Sequence, residues 1–179
     1  NAKDIQDKFN KLLASLHSLN SKGHSPGTIE WDVSKHLEGL LVGPILVAFG
    51  MSDFFLESLE NKSEINLESM GDKLPIMSSI FSLFIYLKWI VIKNNKNYFS
   101  EEGLFFIKRS TAYGVTVSYL PTFNQIPELL FGNPNVLWKR SPNGFETHVN
   151  RHMNVWGSGG AHSLYFRKID EIITHIFNK

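Results

Sequence analysis

The segment "EINLESMGDKLPIMSSIFSLFIYLKWIVIKNNKNYFSEEG", residues 64–103, restricts the possible folds more than any other. A short apolar-periodic run over 66–70 meets Gly71, and Gly71-Asp72-Lys73 reads as a turn. A longer helix is expected from about Pro75 to Leu87, since proline is well tolerated at a helix start. "WIVIK" and "NYFS" are short β-rich runs that flank the polar "NNKN", which is the signature of a hairpin. Helix, turn, helix and then a two-stranded hairpin is the order of a winged helix.

The flanks are helical. Ile5, Phe9, Leu12, Leu13, Leu16 and Leu19 recur at threes and fours, which predicts an amphipathic helix over 4–20. "NSKGHSPG" is a linker by its Gly, Pro and Ser content. A second helix follows Trp31-Asp32 and carries Leu37, Leu40, Leu41, Ile45 and Phe49 to a break at Gly50. Pro44 should kink or restart it, because proline lacks a donor and clashes with the preceding turn. "SDFFLESLEN" reads as a short helix with Ser52 as N-cap, and Ser100 as the cap of another whose first turn is acidic. "TVSYLPTFNQIPELLFGN" is helical, interrupted at Pro121 and Pro127 and stopped by Gly132. "PNVLWKRSPNGFET" is a loop, 145–153 a short helix and 161–178 a long one. The fold class expected is therefore mainly α: a winged-helix-like domain with one small β-hairpin and flanking helices. The divisions expected are 1–27, an N-terminal helix and linker; 28–145, the winged-helix-like domain; and 146–179, a junction segment and helix.

Composition narrows the classes. Lys and Arg number 18 against 17 Asp and Glu, a net charge of +1, far from the positive field of a typical nucleic-acid binder. The expected recognition helix, 75–87, has no cation before Lys88. Lys93, Lys96, Lys108 and Arg109 scatter around the wing, so base and phosphate contacts are not provided for. No cysteine is present, which removes disulfides and thiolate metal sites and fits a reducing cytoplasm. Residues 74–92 approach the length of a membrane span. Ser78, Ser82 and Tyr86, at spacings of four, put a polar stripe on that helix and make it a buried core helix instead. The opening Asn1-Ala2 without Met, and the helical "IDEIITHIFNK" at the other end, predict a segment of a longer polypeptide.

"EGLLVGPILVAFGMSDFFLESL", the winged-helix block and "YFSEEG" together resemble the N-terminal region of S-adenosylmethionine-dependent O- and C-methyltransferases. There a helix ending in a Leu/Phe-Gly turn precedes a winged helix, and the wing leads into a Thr/Ser-x-x-Gly segment, here Ser100-Glu101-Glu102-Gly103. The tail "NVWGSGGAHSLYFRKIDEII" is similar to the junction before the catalytic core in methyltransferases embedded in bacterial polyketide synthases. The resemblance covers most of residues 37–178. It implies a non-catalytic N-terminal segment, because the cofactor-binding strand and Gly-rich loop of that family have no counterpart here. S-adenosylmethionine would then be bound mainly by a core elsewhere in the same chain. An acyl group tethered to a carrier protein would be the substrate, and a homodimer a possible assembly.

Three sets of residues could carry chemistry. Gly157, Gly159 and Gly160 hint at a dinucleotide loop, but His162 stands where the third glycine belongs and no buried strand precedes. A flexible connection before a new helix is the expectation, with glycine free to take positive φ. His148 and His152, four apart, would share a helix face at a metal-ligand spacing, with His162 as a third ligand and Glu146 the nearby carboxylate. Too few ligands converge, so two exposed histidines on one helix is the expectation and no metal is assigned. His162, Tyr165 and Phe166, with Asn154, Trp156 and Ser158 just ahead, are candidates for a wall or lid over the cofactor or substrate of the core. The same residues also suit plain packing at a domain junction. No G-x-S-x-G elbow occurs, so hydrolase chemistry has no support. The rival readings are a winged-helix DNA-binding regulator and a small His-ligated metal enzyme.

Overall fold

The computed structural model describes residues 2–52, 54, 64–65 and 74–178. The chain forms two compact units, residues 1–108 and 109–179, a division that falls inside the expected 28–145 segment.

The first unit begins with α1 (Ala2–Asn20) and α2 (Ile29–Gly50). Thr28 caps α2 by accepting from the Trp31 N–H, which satisfies one of the free donors of the first turn. The helix continues through Pro44 and does not restart there. Buried Leu41, Val42, Ile45, Leu46 and Val47 flank that proline, so packing holds the helix where propensity alone would not. Among the described residues α2 is long and apolar enough to cross a membrane, and its buried side chains are confined to Ser34 and the stretch around Pro44. "SDFFLESLEN" and the expected helix and turn at 66–73 lie mostly or wholly outside the described residues.

Helix α3 (Leu74–Tyr86) is followed by β2 (Ile90–Lys93) and β3 (Lys96–Phe99). The hairpin joins them through Asn94 and Asn95, both at positive φ (50° and 61°). This two-residue, both-positive geometry matches strand twist, and Asn tolerates it better than most residues. A third strand, not expected from the sequence, completes the sheet. β1 (Glu64–Ile65) pairs antiparallel with β3, so the sheet order is β1-β3-β2. Two residues are too short to show any alternation.

α3 ends in a C-terminal motif of two reciprocal bonds. Trp89 N donates to Phe84 O (2.8 Å) and Lys88 N to Ile85 O (3.0 Å), with Lys88 at φ 61°. The Phe84 and Trp89 rings pack at 5.4 Å, the apolar contact that accompanies this cap. Phe84 is fully buried and also meets the rings of Phe49, Phe81 and Phe99. Leu16, Leu46, Val47 and Leu83 complete the core around it.

Ser100 caps α4 (Glu101–Ile107) by accepting from Gly103 N, as expected. It also donates from Oγ to Lys88 O (2.8 Å) and from N to Trp89 O (2.8 Å). A Cβ on Gly103 would collide with the Trp89 carbonyl. The Ser-x-x-Gly spacing thus has a local cause: the serine ties the wing to the helix, and the glycine makes room for the strand entering the wing.

The second unit holds α5 (Thr111–Ser118), α6 (Leu120–Phe123), α7 (Ile126–Phe131), a 3-10 turn over Pro134–Trp138, α8 (Arg151–Ala161) and α9 (Ser163–Phe177). Breaks fall near Pro121 and Pro127 and the stop at Gly132, as expected. The helix expected over 145–153 is displaced. Residues 141–146 form a turn and a bridge between Arg140 and Glu146, and Asn150 caps the helix by accepting from Met153 N (3.0 Å). Asparagine is a strong N-cap, and the preceding backbone is already committed to the bridge.

Candidate functional site

The glycines of "NVWGSGG" form neither a loop nor a flexible connection. They lie inside α8, and none takes positive φ. The reason is visible in α5. Asn154 Nδ2 donates to Ser118 Oγ (3.0 Å), Gly157 faces Gly114, and Gly160 faces Thr111. Those three pairs run in opposite chain directions, so α5 and α8 are antiparallel. A Cβ on Gly157 would lie 2.6 Å from Gly114 Cα, closer than packed atoms come. Small residues let the two backbones meet where side chains would normally hold helix axes about 8–10 Å apart. Gly159 points away, with open space around it. The signal existed in the sequence: "TAYGVTVS" spaces Thr111, Gly114 and Ser118 at three and four, and Asn154, Gly157 and Gly160 stand at three and three, so each set lies on one helix face.

This arrangement bears on a nucleotide cofactor. A phosphate cradle needs glycine N–H groups free at a turn after a strand. Here Gly157 is buried against a neighbouring helix and its backbone is helical. Gly157, Gly159 and Gly160 therefore do not form the dinucleotide loop that their spacing hints at.

The six lid candidates divide into two groups. Asn154 and Trp156 are half-buried and engaged with α5, the Trp156 ring lying beside Gly114. Ser158, His162, Tyr165 and Phe166 form a connected patch. Ser158 Oγ lies 3.4 Å from His162 Nδ1, and the His162 ring is 6.1 Å from Tyr165 and 6.4 Å from Phe166. Tyr165 and Phe166 are 70% and 53% exposed, so the patch faces solvent. It continues along α9, none of whose residues is buried although Leu164, Ile169, Ile172, Ile173 and Ile176 are apolar.

His148 and His152 do not share a helix. His148 lies before the Asn150 cap, half-buried, and its backbone oxygen accepts from Thr122 Oγ1 (2.6 Å). Its Nδ1 is buried without a hydrogen-bond partner among the described residues. His152 is exposed in the first turn of α8. No group of three His, Asp or Glu among the described residues could hold a metal.

A cleft of about 570 Å³ that the sequence reading missed opens beside His152. Arg140, Phe145, Glu146, Asn150 and Arg151 line it. Glu146 accepts from Arg151 Nε (2.9 Å) and Nη2 (2.6 Å). That bond holds the Glu146 carboxyl below its ordinary range and raises Arg151. Arg140 donates to Gly144 O (3.1 Å), leaving guanidinium donors over for a ligand.

Comparison with known families gives two matches. Residues 146–179 match the AprA MT2-like domain, and residues 38–133 match the AprA winged helix domain. No curated protein matches the chain. The first match makes the segment with α8 and α9 similar to part of a methyltransferase-like domain. The second spans more than half of the chain, from α2 through the wing to α7, and agrees with the three-stranded wing and the Ser-x-x-Gly junction described above; the chain belongs to the AprA winged helix domain family.

Proposed function

We propose that residues 1–179 are a non-catalytic cap of an S-adenosylmethionine-dependent methyltransferase acting in polyketide biosynthesis, with α9 as the element that meets the catalytic core. One observation carries this reading. α9 lies in the segment matching the MT2-like domain and presents a row of apolar side chains, with Tyr165 and Phe166 at its start, none of them buried. Exposed apolar surface of this kind marks an interaction site. S-adenosylmethionine is held elsewhere in the methyltransferase, a reading supported by Gly157 and Gly160 lying in a helix packed on α5 and forming no Gly-rich loop. Tyr165, Phe166 and His162 form part of the wall over the substrate, an acyl group carried on an acyl carrier protein in the cytoplasm.

The test is made in the methyltransferase that carries this segment. Tyr165→Ala with Phe166→Ala should lower methyl transfer about tenfold or more while S-adenosylmethionine affinity stays unchanged, as expected for loss of substrate positioning. Unaltered transfer contradicts the reading. The regulator alternative is weakened by α3, whose exposed positions Ser78, Ser82 and Ile85 offer no cation. Tight, salt-sensitive binding to random duplex would reverse that judgement. The metal-enzyme alternative would need stoichiometric metal that is lost on His152→Ala.

A further inference from the structure

The first unit contains a second pocket, remote in sequence from the segment discussed above. It has a volume of about 340 Å³ and is lined by His24, Trp31, Lys35, Glu38, Tyr86 and Lys88. One wall is a fixed polar network. Ser34 Oγ donates to Asn20 Oδ1, Asn20 Nδ2 donates to the Tyr86 hydroxyl and to Glu38 Oε1, and Lys35 Nζ donates to Glu38. Lys35 also lies 4.7 Å from the centroid of the Trp31 ring. The His17 ring packs on Tyr86 at 4.2 Å from behind.

Two features of this pocket are not explained by packing. His24 Nε2 is buried without a hydrogen-bond partner among the described residues, a state that costs free energy unless something meets it. Lys88 stands at the left-handed cap position of α3, which glycine occupies without strain. Its backbone is fixed there from both sides, by the bond to Ile85 O and by Ser100 Oγ on its carbonyl. Its ammonium makes no ion pair among the described residues. A strained residue whose side chain supplies charge to a pocket is a candidate for function.

We infer that the pocket between α1, α2 and α3 binds a small organic oxyanion, a phosphate monoester or a carboxylate. Lys88 and Lys35 supply the charge, His24 a hydrogen bond, and Trp31 with Tyr86 an aromatic surface for the body of the ligand. Glu38 holds Lys35 in place and is itself half-buried in the network, so the face toward the opening stays net cationic. Binding is non-covalent and requires nothing of the 154–166 segment.

The test is NMR titration of the 179-residue chain at constant ionic strength, following Trp31 indole and His24 ring resonances. Phenyl phosphate, inorganic phosphate and benzoate are the probes. Saturable shifts with phenyl phosphate or benzoate are expected; a response to one and not the other assigns the anion, and a response equal to that of inorganic phosphate assigns the charge alone. Lys88→Gly should raise the melting temperature, by relieving the cap, and yet weaken binding about tenfold, the effect of losing one charged hydrogen bond. Lys88→Arg should restore binding. Absence of saturable shifts with all three probes, or a Lys88→Gly chain that binds as well as the parent, overturns the inference.

Discussion

Gly114 and Gly157 meet backbone to backbone: a Cβ on Gly157 would fall 2.6 Å from Gly114 Cα and 2.8 Å from Val115 N. Neither neighbour can step aside as a side-chain tip could, since both belong to the α5 backbone. Gly157→Ala should therefore destabilise the second unit by about 1–3 kcal/mol, the cost of overpacking. Two residues along the same helix, Gly159 has open space around it. Gly159→Ala should stabilise by about 0.4–1 kcal/mol, by restricting the unfolded chain. Opposite signs in thermal melts of the two variants would establish the packing role; equal effects would deny it.

Lys88 and Asn95 both sit in the left-handed region, at φ 61°. Lys88→Gly and Asn95→Gly should each stabilise the first unit, the former by about 1 kcal/mol, the low end of the left-handed penalty. Denaturant midpoints measure it. Gly103→Ala is the counter-case, because the added carbon meets the Trp89 carbonyl, and it should shift the midpoint downward.

Phe84 anchors the aromatic core between Phe81, Trp89 and Phe99 and is fully buried. Phe84→Ala should cost about 3–5 kcal/mol through lost burial and the remaining cavity. Chemical denaturation, read through near-ultraviolet dichroism of the aromatic cluster, should show it. A loss below 1 kcal/mol would mean that the wing and α3 are not packed as described.

The Glu146–Arg151 pair yields a pH dependence of known sign. Hydrogen bonding from Arg151 lowers the Glu146 carboxyl. The folded form thus holds its proton less tightly than the unfolded form. The associated stability is fully present above the unfolded carboxylate value and is lost as pH falls through the lower folded value. Carboxyl-carbon NMR should place Glu146 below the ordinary carboxylate range. Arg151→Ala should return it to that range, and Glu146→Gln should remove its share of the acid transition.

Much of this fold is legible in the sequence. The hairpin around Asn94 and Asn95, the Ser100 cap and the breaks near Pro121, Pro127 and Gly132 all follow from backbone preferences that act locally. The failures share a different cause. The glycines of 157–160 are helical because tertiary packing overrides local propensity. β1 is too short to carry a pattern, and its partner β3 is more than thirty residues away. The lid candidates illustrate the same divide. His162, Tyr165 and Phe166 share a face, as helical spacing requires. Asn154 and Trp156 turn instead to α5, a partner that no spacing within 154–166 could reveal. Arg140 joins Glu146 and Arg151 only through the turn at Gly144, so the cleft they line was invisible in the sequence.

In the function proposed, this chain is a cap, with Gly157 and Gly160 committed to helix packing and the chemistry supplied by another part of a methyltransferase. Isothermal titration of the 179-residue chain with S-adenosylmethionine tests it most directly. No saturable binding is expected up to millimolar cofactor. Stoichiometric binding would contradict it, and loss of that binding in Gly159→Ala, the one glycine of the α8 cluster with space around it, would place the cofactor on α8.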